Sequence, residues 1–349
     1  MEKPRAFVTL GMFIIDQFEY LDENGNDTGR PSKSEIGGGG TYAAIGARIW
    51  LPPEEVGMVV DRGPDFPPSM QKTLESYGRD MWLFRDQSNS ETTKALNRYR
   101  GEHRGSVYSV LEAAHTDFVD VFSSFQYLTP RIRLTPHDLK QTPLERPKSL
   151  HFICSPARAS VIVAEAREVQ DWKPIAIYEP IPDRCIPEEL PALTSILPQI
   201  SVLSPNAEEA LSLLSLPLPP TKASIEEAAN IFVELGAKEA VVIRSGGLGA
   251  YVLTKEKGGK WIPAFWSSDD ANEVVDVTGA GNTFLGGLGA GLQIADGDVY
   301  EASLYGTVSA SFAIQQGGLP VFSEGQWNRD SPTRRLEVLR DRLKGGIQS

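Results

Sequence analysis

The stretch EVVDVTGAGNTFLGGLGAG, residues 273–291, places a run of small residues between two apolar segments. Val274 and Val275 predict the end of a buried strand, and the residues after Asn282 predict a helix. Because small residues stand where this helix begins, several backbone N–H groups and the positive end of the helix dipole face one point. The pattern therefore favours an anion at that point.

Four glycines follow inside the predicted helix, at positions 286, 287, 289 and 291. Each costs about 1 kcal/mol relative to alanine in a helix, which predicts that another backbone packs very close. The segment contains neither the G-x-G-x-x-G spacing of dinucleotide-binding turns nor the spacing of a P-loop. From these residues alone, an anion site and a glycine-lined packing helix remain equally open.

The composition limits the classes of function. The chain has 349 residues, 41% of them hydrophobic, which is enough for one large α/β domain or two smaller ones. The net charge of −12 disfavours nonspecific binding to nucleic acid or to an anionic membrane. Only two cysteines, Cys154 and Cys185, occur, so we expect no disulfide framework and a reducing, cytoplasmic location. No apolar run reaches transmembrane length.

Short apolar segments along the chain predict the central architecture. Residues 6–16 (AFVTLGMFIID) predict a buried strand with Asp16 at its carboxyl end, either a substrate contact or a solvated carboxylate. The segments GMVV, SLHFICS, PIAIYEP, ISVLSPN and AVVIRSG then alternate with helical stretches. This alternation predicts a parallel sheet with helices on both faces, which is a three-layer sandwich.

Two polar regions, at about residues 17–36 and 92–110, predict a small antiparallel flap beside the main sheet. The Asn24-Gly25 pair is a strong turn signal in the first region. A flap over a site would exclude water from a reaction, whereas two surface hairpins would have no such role. Four glycines at residues 37–40 require the backbone to bend or to lie close to another group, as a hinge or as a flexible linker.

Two further turns contain polar residues. Asn206 and Glu209 have the spacing of a helix capping box, which explains both residues structurally. Residues 241–253 predict a strand, a glycine turn and a second strand. Arg244 in this segment is either a bidentate phosphate ligand or an exposed salt-bridge residue.

Several of these motifs resemble the ribokinase-like (PfkB) carbohydrate and nucleoside kinases. DVTGAGNTF, from Asp276, resembles the second family signature DTxGAGDxF, and GGGGTYAA, from Gly37, resembles the first. The resemblance spans about residues 7–320. It implies a single domain over residues 1–349, an α/β fold that is a three-layer α/β/α sandwich with a mostly parallel central sheet, and a small β lid from residues 17–36 and 92–110.

The resemblance implies ATP-dependent phosphotransfer to a primary hydroxyl of a small sugar, nucleoside or related metabolite. The implied cofactors are ATP and Mg²⁺, with a monovalent cation as a further candidate, and a homodimer through the lid is a candidate assembly. The implied roles are catalysis for Gly279, Ala280, Gly281 and Asn282; nucleotide contacts for Asn206, Glu209, Arg244, Ser245, Gly246, Gly249 and Thr278; substrate contacts for Asp16, Gly38, Gly39, Tyr42 and Asn97; and metal contacts for Glu209 and Asp276.

The chain departs from the family pattern at two positions. Asn282 stands where the family has the Asp that acts as general base, and Tyr42 stands where it has Asn. Both departures resemble a fungal branch of the family related to the killer-virus maintenance protein. A nucleotide-binding regulatory pseudokinase and an enzyme with remodelled chemistry therefore remain alternatives. The resemblance predicts that Asn282→Asp raises turnover. Residues 178–182 (YEPIP) match the family only loosely and are assigned no catalytic role.

Overall fold

The computed structural model describes residues 3–22, 26–29, 33–100 and 124–345. The Asn24-Gly25 turn and residues 101–110 of the second predicted lid segment lie outside these residues. The strands are β1 (Phe7–Thr9), β2 (Ile14–Leu21), β3 (Lys33–Gly37), β4 (Val56–Arg62), β5 (Trp82–Asp86), β6 (Lys94–Arg100), β7 (Ser124–Tyr127), β8 (Ser149–Cys154), β9 (Ile175–Pro180), β10 (Val202–Leu203), β11 (Ala240–Arg244), β12 (Ala250–Thr254), β13 (Gly258–Ile262), β14 (Phe322–Ser323) and β15 (Gln326–Trp327). The α-helices are α1 (Gly39–Arg48), α2 (Pro68–Ser76), α3 (Pro156–Glu168), α4 (Leu190–Ile196), α5 (Ala207–Leu213), α6 (Lys222–Glu234), α7 (Ala280–Ile294), α8 (Val299–Ala313) and α9 (Pro332–Gly345).

The central sheet has nine strands in the order β13-β12-β11-β10-β9-β8-β1-β4-β5. The seven strands from β11 to β5 pair in parallel, and β12 and β13 add an antiparallel edge. The parallel strands are nearly continuous in apolar residues because both faces of the sheet are covered. All of them end at one edge, where ligands bind in open α/β sheets.

Helices cover both faces of the sheet. One core cluster joins the sheet to α1, α7, α8 and α9, and a second joins it to α3, α4, α5 and α6. The first cluster includes Ile45, Leu285 and Phe312, and the second includes Ile162, Leu211 and Phe232. The predicted three-layer α/β/α sandwich is therefore confirmed.

The glycines of α7 allow two helices to touch backbone to backbone. A Cβ atom on Gly286 would lie 1.9 Å from the carbonyl oxygen of Ala43 in α1. In the reverse direction, a Cβ on Gly46 would lie 2.1 Å from the carbonyl oxygen of Thr283. The prediction of a very close neighbouring backbone is confirmed.

A separate four-stranded sheet, in the order β3-β2-β6-β7, forms the lid. Its first three strands come from the two predicted regions, and β7 adds residues 124–127. The prediction of a purely antiparallel flap was wrong, because β2 and β6 pair in parallel. Asp16 also lies in lid strand β2 rather than at the end of the first strand. The chain leaves the main sheet where Gly11 passes Gly40, so closely that a Cβ on Gly11 would lie 2.6 Å from the Gly40 Cα.

The segment before α7 is not the predicted strand. Residues 268–273 form a 3₁₀ helix, and Val275 and Val277 are exposed. The backbone N–H groups of Val275 and Asp276 both donate to the carbonyl oxygen of Ile314. These contacts satisfy the backbone without a neighbouring strand, which the apolar sequence alone did not indicate. Among the described residues, no helix is long and apolar enough to cross a membrane.

We expect Gly286→Ala to destabilise the fold although alanine is the better helix former. The added methyl would meet the Ala43 carbonyl, and overpacking of this kind costs about 1–3 kcal/mol. Urea denaturation measures the change in free energy of unfolding. Ile294→Ala, in the exposed last turn of α7, is the control and should change stability by less than about 0.5 kcal/mol. A more stable Gly286→Ala would contradict the close approach of α1 and α7.

Candidate active site

A cavity of about 360 Å³ opens at the carboxyl edge of the sheet. Its floor comes from strand ends, with Glu179 in β9, Arg244 at the end of β11 and Asn206 just after β10. The start of α7 forms one wall. The lining residues are Glu179, Asn206, Glu209, Arg244, Ser245, Gly246, Gly247, Gly249, Ala264, Phe265, Trp266, Val274, Val277, Gly279, Ala280, Gly281, Asn282, Phe284, Thr307, Ala310, Ser311 and Ile314.

The first turn of α7 presents backbone N–H groups to this cavity. Gly279 adopts a left-handed conformation with φ of 76°, and no side chain caps the helix. The first turn carries no acidic residue, so the positive end of the helix dipole is not neutralised locally. The ring of Tyr42 packs under Gly279, so that a Cβ there would lie 2.3 Å from a ring carbon. Tyr42 is buried, and its ring supports the turn that an anion would contact.

Glu179 is the central charged residue of the cavity floor and is buried. Its Oε1 lies 2.9 Å from Arg244 Nη2, and its Oε2 accepts a hydrogen bond of 2.6 Å from Asn282 Nδ2. His151 Nε2 lies 3.6 Å from the same Oε2. Burial alone would raise the pKa of Glu179, but Arg244, His151 and Asn282 outweigh burial and hold that pKa below its ordinary value. Glu179 is therefore ionised at neutral pH.

Arg244 lies between two carboxylates and next to the start of α7. Nη2 donates to the carbonyl oxygen of Ser204 at 3.0 Å and lies 3.6 Å from Glu209 Oε2. Its Nη1 is so close to the helix that a Cβ on Gly281 would lie 2.1 Å from it. The side chain is only 11% exposed, so the alternative of an exposed salt-bridge residue was wrong. Arg244 adds a buried positive charge beside the α7 amides.

The predicted capping box of α5 is confirmed. Asn206 Oδ1 accepts from the Glu209 N–H at 2.8 Å, and Glu209 Oε2 accepts from the Asn206 N–H at 2.7 Å. Burial raises the pKa of Glu209 to about 7, although Arg244 acts in the opposite direction. Arg244 is closer to Glu179, so Glu209 is the carboxylate whose charge is less well compensated.

The other end of the cavity is apolar. Phe265 and Trp266 line it together with residues of α8, and Trp266 Nε1 donates to the carbonyl oxygen of Ser311 at 3.0 Å. The turn at Gly246 and Gly249 closes one side, and both glycines have positive φ. A flat apolar ring fits between such walls while its charged end reaches α7.

Four of the five predicted substrate residues lie in the lid or at its connection to α1, whereas Tyr42 lies in α1 with its ring against Gly279. Asn97 Nδ2 donates to Asp16 Oδ1 at 3.3 Å, joining β6 to β2. Burial raises the pKa of Asp16 to about 6, and nearby Glu35 adds to this shift while Asn97 opposes it. Gly38, with φ of 91°, and Gly39 connect the lid to α1. A Cβ on Gly39 would lie 3.1 Å from both amide atoms of Asn282, so the lid connection meets the start of α7.

Three predicted site residues remain, namely Asp276, Thr278 and Ser245. Asp276 Oδ1 accepts from the N–H and the hydroxyl of Thr278 at 3.0 and 2.7 Å, and neither residue lines the cavity. Ser245 lines the cavity, but its hydroxyl donates to the Ile243 carbonyl at 3.2 Å. Within the described part of the chain, no group of three His, Cys, Asp or Glu side chains could hold a metal ion.

Comparisons with known proteins identify the family of this chain. A family model described as pfkB family carbohydrate kinase matches residues 162–323. Protein MAK32 of Saccharomyces cerevisiae is 32% identical over 342 residues, covering 91% of this chain and 87% of that protein. An uncharacterized protein of Schizosaccharomyces pombe is 31% identical over 361 residues, covering 96% of this chain and 92% of that protein. The chain belongs to the PfkB family.

Solved structures with a similar fold agree with this family assignment. The structure of Arabidopsis thaliana ribokinase complexed with ribose and ATP has a TM-score of 0.66 and 19% sequence identity, and covers 97% of this chain and 99% of that chain. This likeness shows a shared ribokinase-like fold. The two relatives that match along most of their length are fungal proteins, as the resemblance of the two departures implied.

Glu179 is the residue of this PfkB-family site that sequence reasoning missed. The loose match of residues 178–182 to the family pattern removed the segment from consideration. The available signal was positional, because Glu179 is an acid at the carboxyl end of a buried parallel strand. Asp16 has the same pattern in the sequence, but its strand lies in the lid.

We expect Asn206 to contribute mainly to stability and Glu209 to contribute mainly to the response to nucleotide. Asn206→Ala removes the cap and is expected to lower the free energy of unfolding by about 1 kcal/mol. Glu209→Gln keeps an oxygen for the Asn206 N–H but loses the charge. We therefore expect Glu209→Gln to reduce the Mg²⁺-dependent stabilisation by nucleotide more than Asn206→Ala does. Urea denaturation with and without Mg²⁺ and ADP measures both. If both variants merely lose stability and respond normally to ADP, the pair is only a cap.

Proposed function

We propose that this protein transfers the γ-phosphate of ATP to a primary hydroxyl of a small sugar, nucleoside or related metabolite. The observation that carries this proposal is the convergence of the α7 amides, Arg244 and an apolar wall on one cavity. Phosphoryl transfer is accelerated mainly by positioning and by stabilising negative charge, which these groups supply. Membership of the PfkB family supports the same class of reaction.

In the proposed orientation, the nucleotide extends from the apolar end of the cavity to the start of α7. Its base lies against Phe265 and Trp266, its middle follows the Gly246 to Gly249 turn, and its terminal phosphates meet the amides of residues 279–281. Thr278, Ser245 and Asn206 are the proposed accessory nucleotide contacts. Arg244 adds a fixed cation beside the same amides.

Magnesium is the proposed metal, with Glu209 as its protein contact in the cavity; the second implied contact, Asp276, does not line the cavity and is not part of this proposal. Burial raises the pKa of Glu209, so a divalent cation nearby would favour its ionised form, and carboxylate oxygen is a ligand type that Mg²⁺ prefers. When bound, Mg²⁺ neutralises charge on the phosphates. Glu209 would orient the waters that this ion retains.

The acceptor belongs on the lid side of Asn282. Asp16 and Asn97 offer a carboxylate and an amide within one hydrogen-bonded pair, which suits a molecule with several hydroxyl groups. Gly38 and Gly39 leave room for its close approach to the start of α7. The proposed role of the lid sheet is to exclude water from the transfer.

A nucleotide-binding regulatory protein is the second candidate function. The observation that favours it is Asn282, whose amide cannot take a proton and is already bound to Glu179. Purified protein is mixed with ATP, Mg²⁺ and a panel of sugars and nucleosides. Acceptor-dependent ADP release supports the kinase, whereas nucleotide binding without ADP release supports the regulatory protein.

We expect ATP and ADP to stabilise the protein against heat. At about 100 times Kd the gain is roughly 2.7 kcal/mol. Differential scanning calorimetry with Mg²⁺ measures the shift in Tm. AMP is the matched control, because it reaches the apolar wall but lacks the terminal phosphates and should bind more weakly. No shift with millimolar ATP or ADP would count against nucleotide binding as a whole.

We expect acceptor binding to weaken as the pH falls through about 6, the value to which burial raises the Asp16 pKa. Below that value Asp16 is protonated, and each pH unit leaves about tenfold less of the carboxylate that accepts acceptor hydroxyls. The apparent KM for the acceptor, measured between pH 5 and 8, should rise on the acid side.

Asp16→Asn is the control for this pH dependence and should flatten it, with a high KM throughout. Ionisation of Asp16 opposes folding, because its pKa is raised in the folded state from 3.8 to about 6. The stability that protonated Asp16 contributes is therefore present below pH 3.8 and is lost as the pH rises through about 6. An acid limb that persists unchanged in Asp16→Asn would assign the titration to another group.

A further inference from the structure

The amide of Asn282 has a fixed orientation at the boundary between the two halves of the site. Nδ2 donates to Glu179 Oε2 at 2.6 Å, and an ionised carboxylate oxygen can only accept. This contact therefore turns Nδ2 towards Glu179 and leaves Oδ1 as the acceptor for another group. On its other side, Asn282 meets Gly39 at the lid connection. Its Oδ1 can hold a hydroxyl, but it cannot keep the proton of that hydroxyl.

A hydroxyl that attacks phosphorus must give up its proton, so the site needs a proton acceptor. The ionisable side chains that line the cavity are Glu179, Glu209 and Arg244. The guanidinium of Arg244 only donates hydrogen bonds and has no acceptor atom. Glu209 Oε2 accepts from the Asn206 N–H and so belongs to the cap at the start of α5. Glu179 is the ionised carboxylate that touches Asn282.

Resting on the function proposed above, we propose that Glu179 is the proton acceptor of the transfer and that Asn282 orients the acceptor hydroxyl. A hydroxyl on Asn282 Oδ1 would pass its proton to Glu179 Oε2 through one bridging water. The O–H bond of the acceptor breaks and its proton passes to Glu179. The acceptor oxygen bonds to the γ-phosphorus, the bond to the β-phosphate oxygen breaks, and ADP leaves with that electron pair.

Three elements hold the Glu179 carboxylate in place for this step. Arg244 of β11 binds Oε1, Asn282 of α7 binds Oε2, and His151 of β8 lies behind Oε2. His151 Nδ1 is itself hydrogen-bonded to Thr9 Oγ1 at 2.9 Å, so the ring is fixed. These contacts fix the orientation of the Glu179 carboxylate, and fixed geometry is a main source of acceleration in phosphoryl transfer.

The 2.6 Å contact changes the expectation for Asn282→Asp. This substitution alone would set two carboxylates against each other, which raises the pKa of one of them and destabilises the site. Adding Glu179→Gln in the same chain would remove that repulsion, because the amide introduced at position 179 can donate to the carboxylate introduced at position 282. The double variant keeps the total charge and moves the carboxylate to the acceptor side.

The test compares the parent with Glu179→Gln, Asn282→Asp and the double variant. ADP release from Mg·ATP is measured with the sugar and nucleoside panel and with water alone as acceptor, and nucleotide Kd by calorimetry. We expect Glu179→Gln to lower kcat by about 10²- to 10⁴-fold with nucleotide Kd within about threefold. The double variant should recover at least about tenfold over Glu179→Gln, whereas Asn282→Asp alone should be no faster than the parent.

The matched control is Glu189→Gln, at another buried glutamate that is paired with an arginine, Arg184, but does not line the cavity. It should leave kcat unchanged. Parental turnover in Glu179→Gln, or no recovery in a folded, nucleotide-binding double variant, overturns the role of Glu179. Turnover in the double variant but not in the parent would also overturn the role of Glu179. That result would still support the proposed function, because the site would then transfer phosphate once a carboxylate stands at position 282. No turnover in any variant overturns the proposed function, and with it this inference.

Discussion

The buried carboxylate of Glu179 is the constraint on which the site depends. A charge in the interior is tolerated only with opposite charges and hydrogen-bond donors around it, and here those partners come from β8, β11 and α7. The position of Arg244 beside the first turn of α7 follows from this pairing. Removing one partner would leave an uncompensated charge, so the floor of the cavity and the start of the helix are held as one unit.

The second constraint is the contact between α1 and α7. Glycines on both helices bring their backbones together, which sets the distance between the residues that begin each helix. Both helix starts carry groups of the site, namely the lid connection at Gly38 and Gly39 and the turn at Gly279. The helix propensity lost at these glycines is therefore offset by fixing the two halves of the site relative to each other.

The sequence predicted the architecture well because its signals were local and repeated. Apolar segments at regular spacing indicated a parallel sheet, and the glycines of α7 indicated a close backbone. The prediction failed where tertiary contacts decided the outcome. The strand expected before α7 is replaced by backbone bonds to Ile314. The strands β2 and β6 pair in parallel, and no local signal in the sequence sets the relative direction of two segments so far apart in the chain. The segment of Glu179 matched the family pattern only loosely, and the three partners that mark this residue as central converge only in the folded protein.

The ring of Tyr42 under Gly279 connects the proposed acceptor site to the proposed nucleotide site. Tyr42 lies in the first turn of α1, which follows directly from lid strand β3, and its ring supports the turn proposed to meet the phosphates. A displacement of the lid connection therefore reaches the nucleotide side through one packed aromatic ring. By thermodynamic reciprocity, the factor by which an acceptor changes nucleotide affinity equals the factor by which the nucleotide changes acceptor affinity. The order in which the two ligands arrive then affects the kinetics but not this cooperativity.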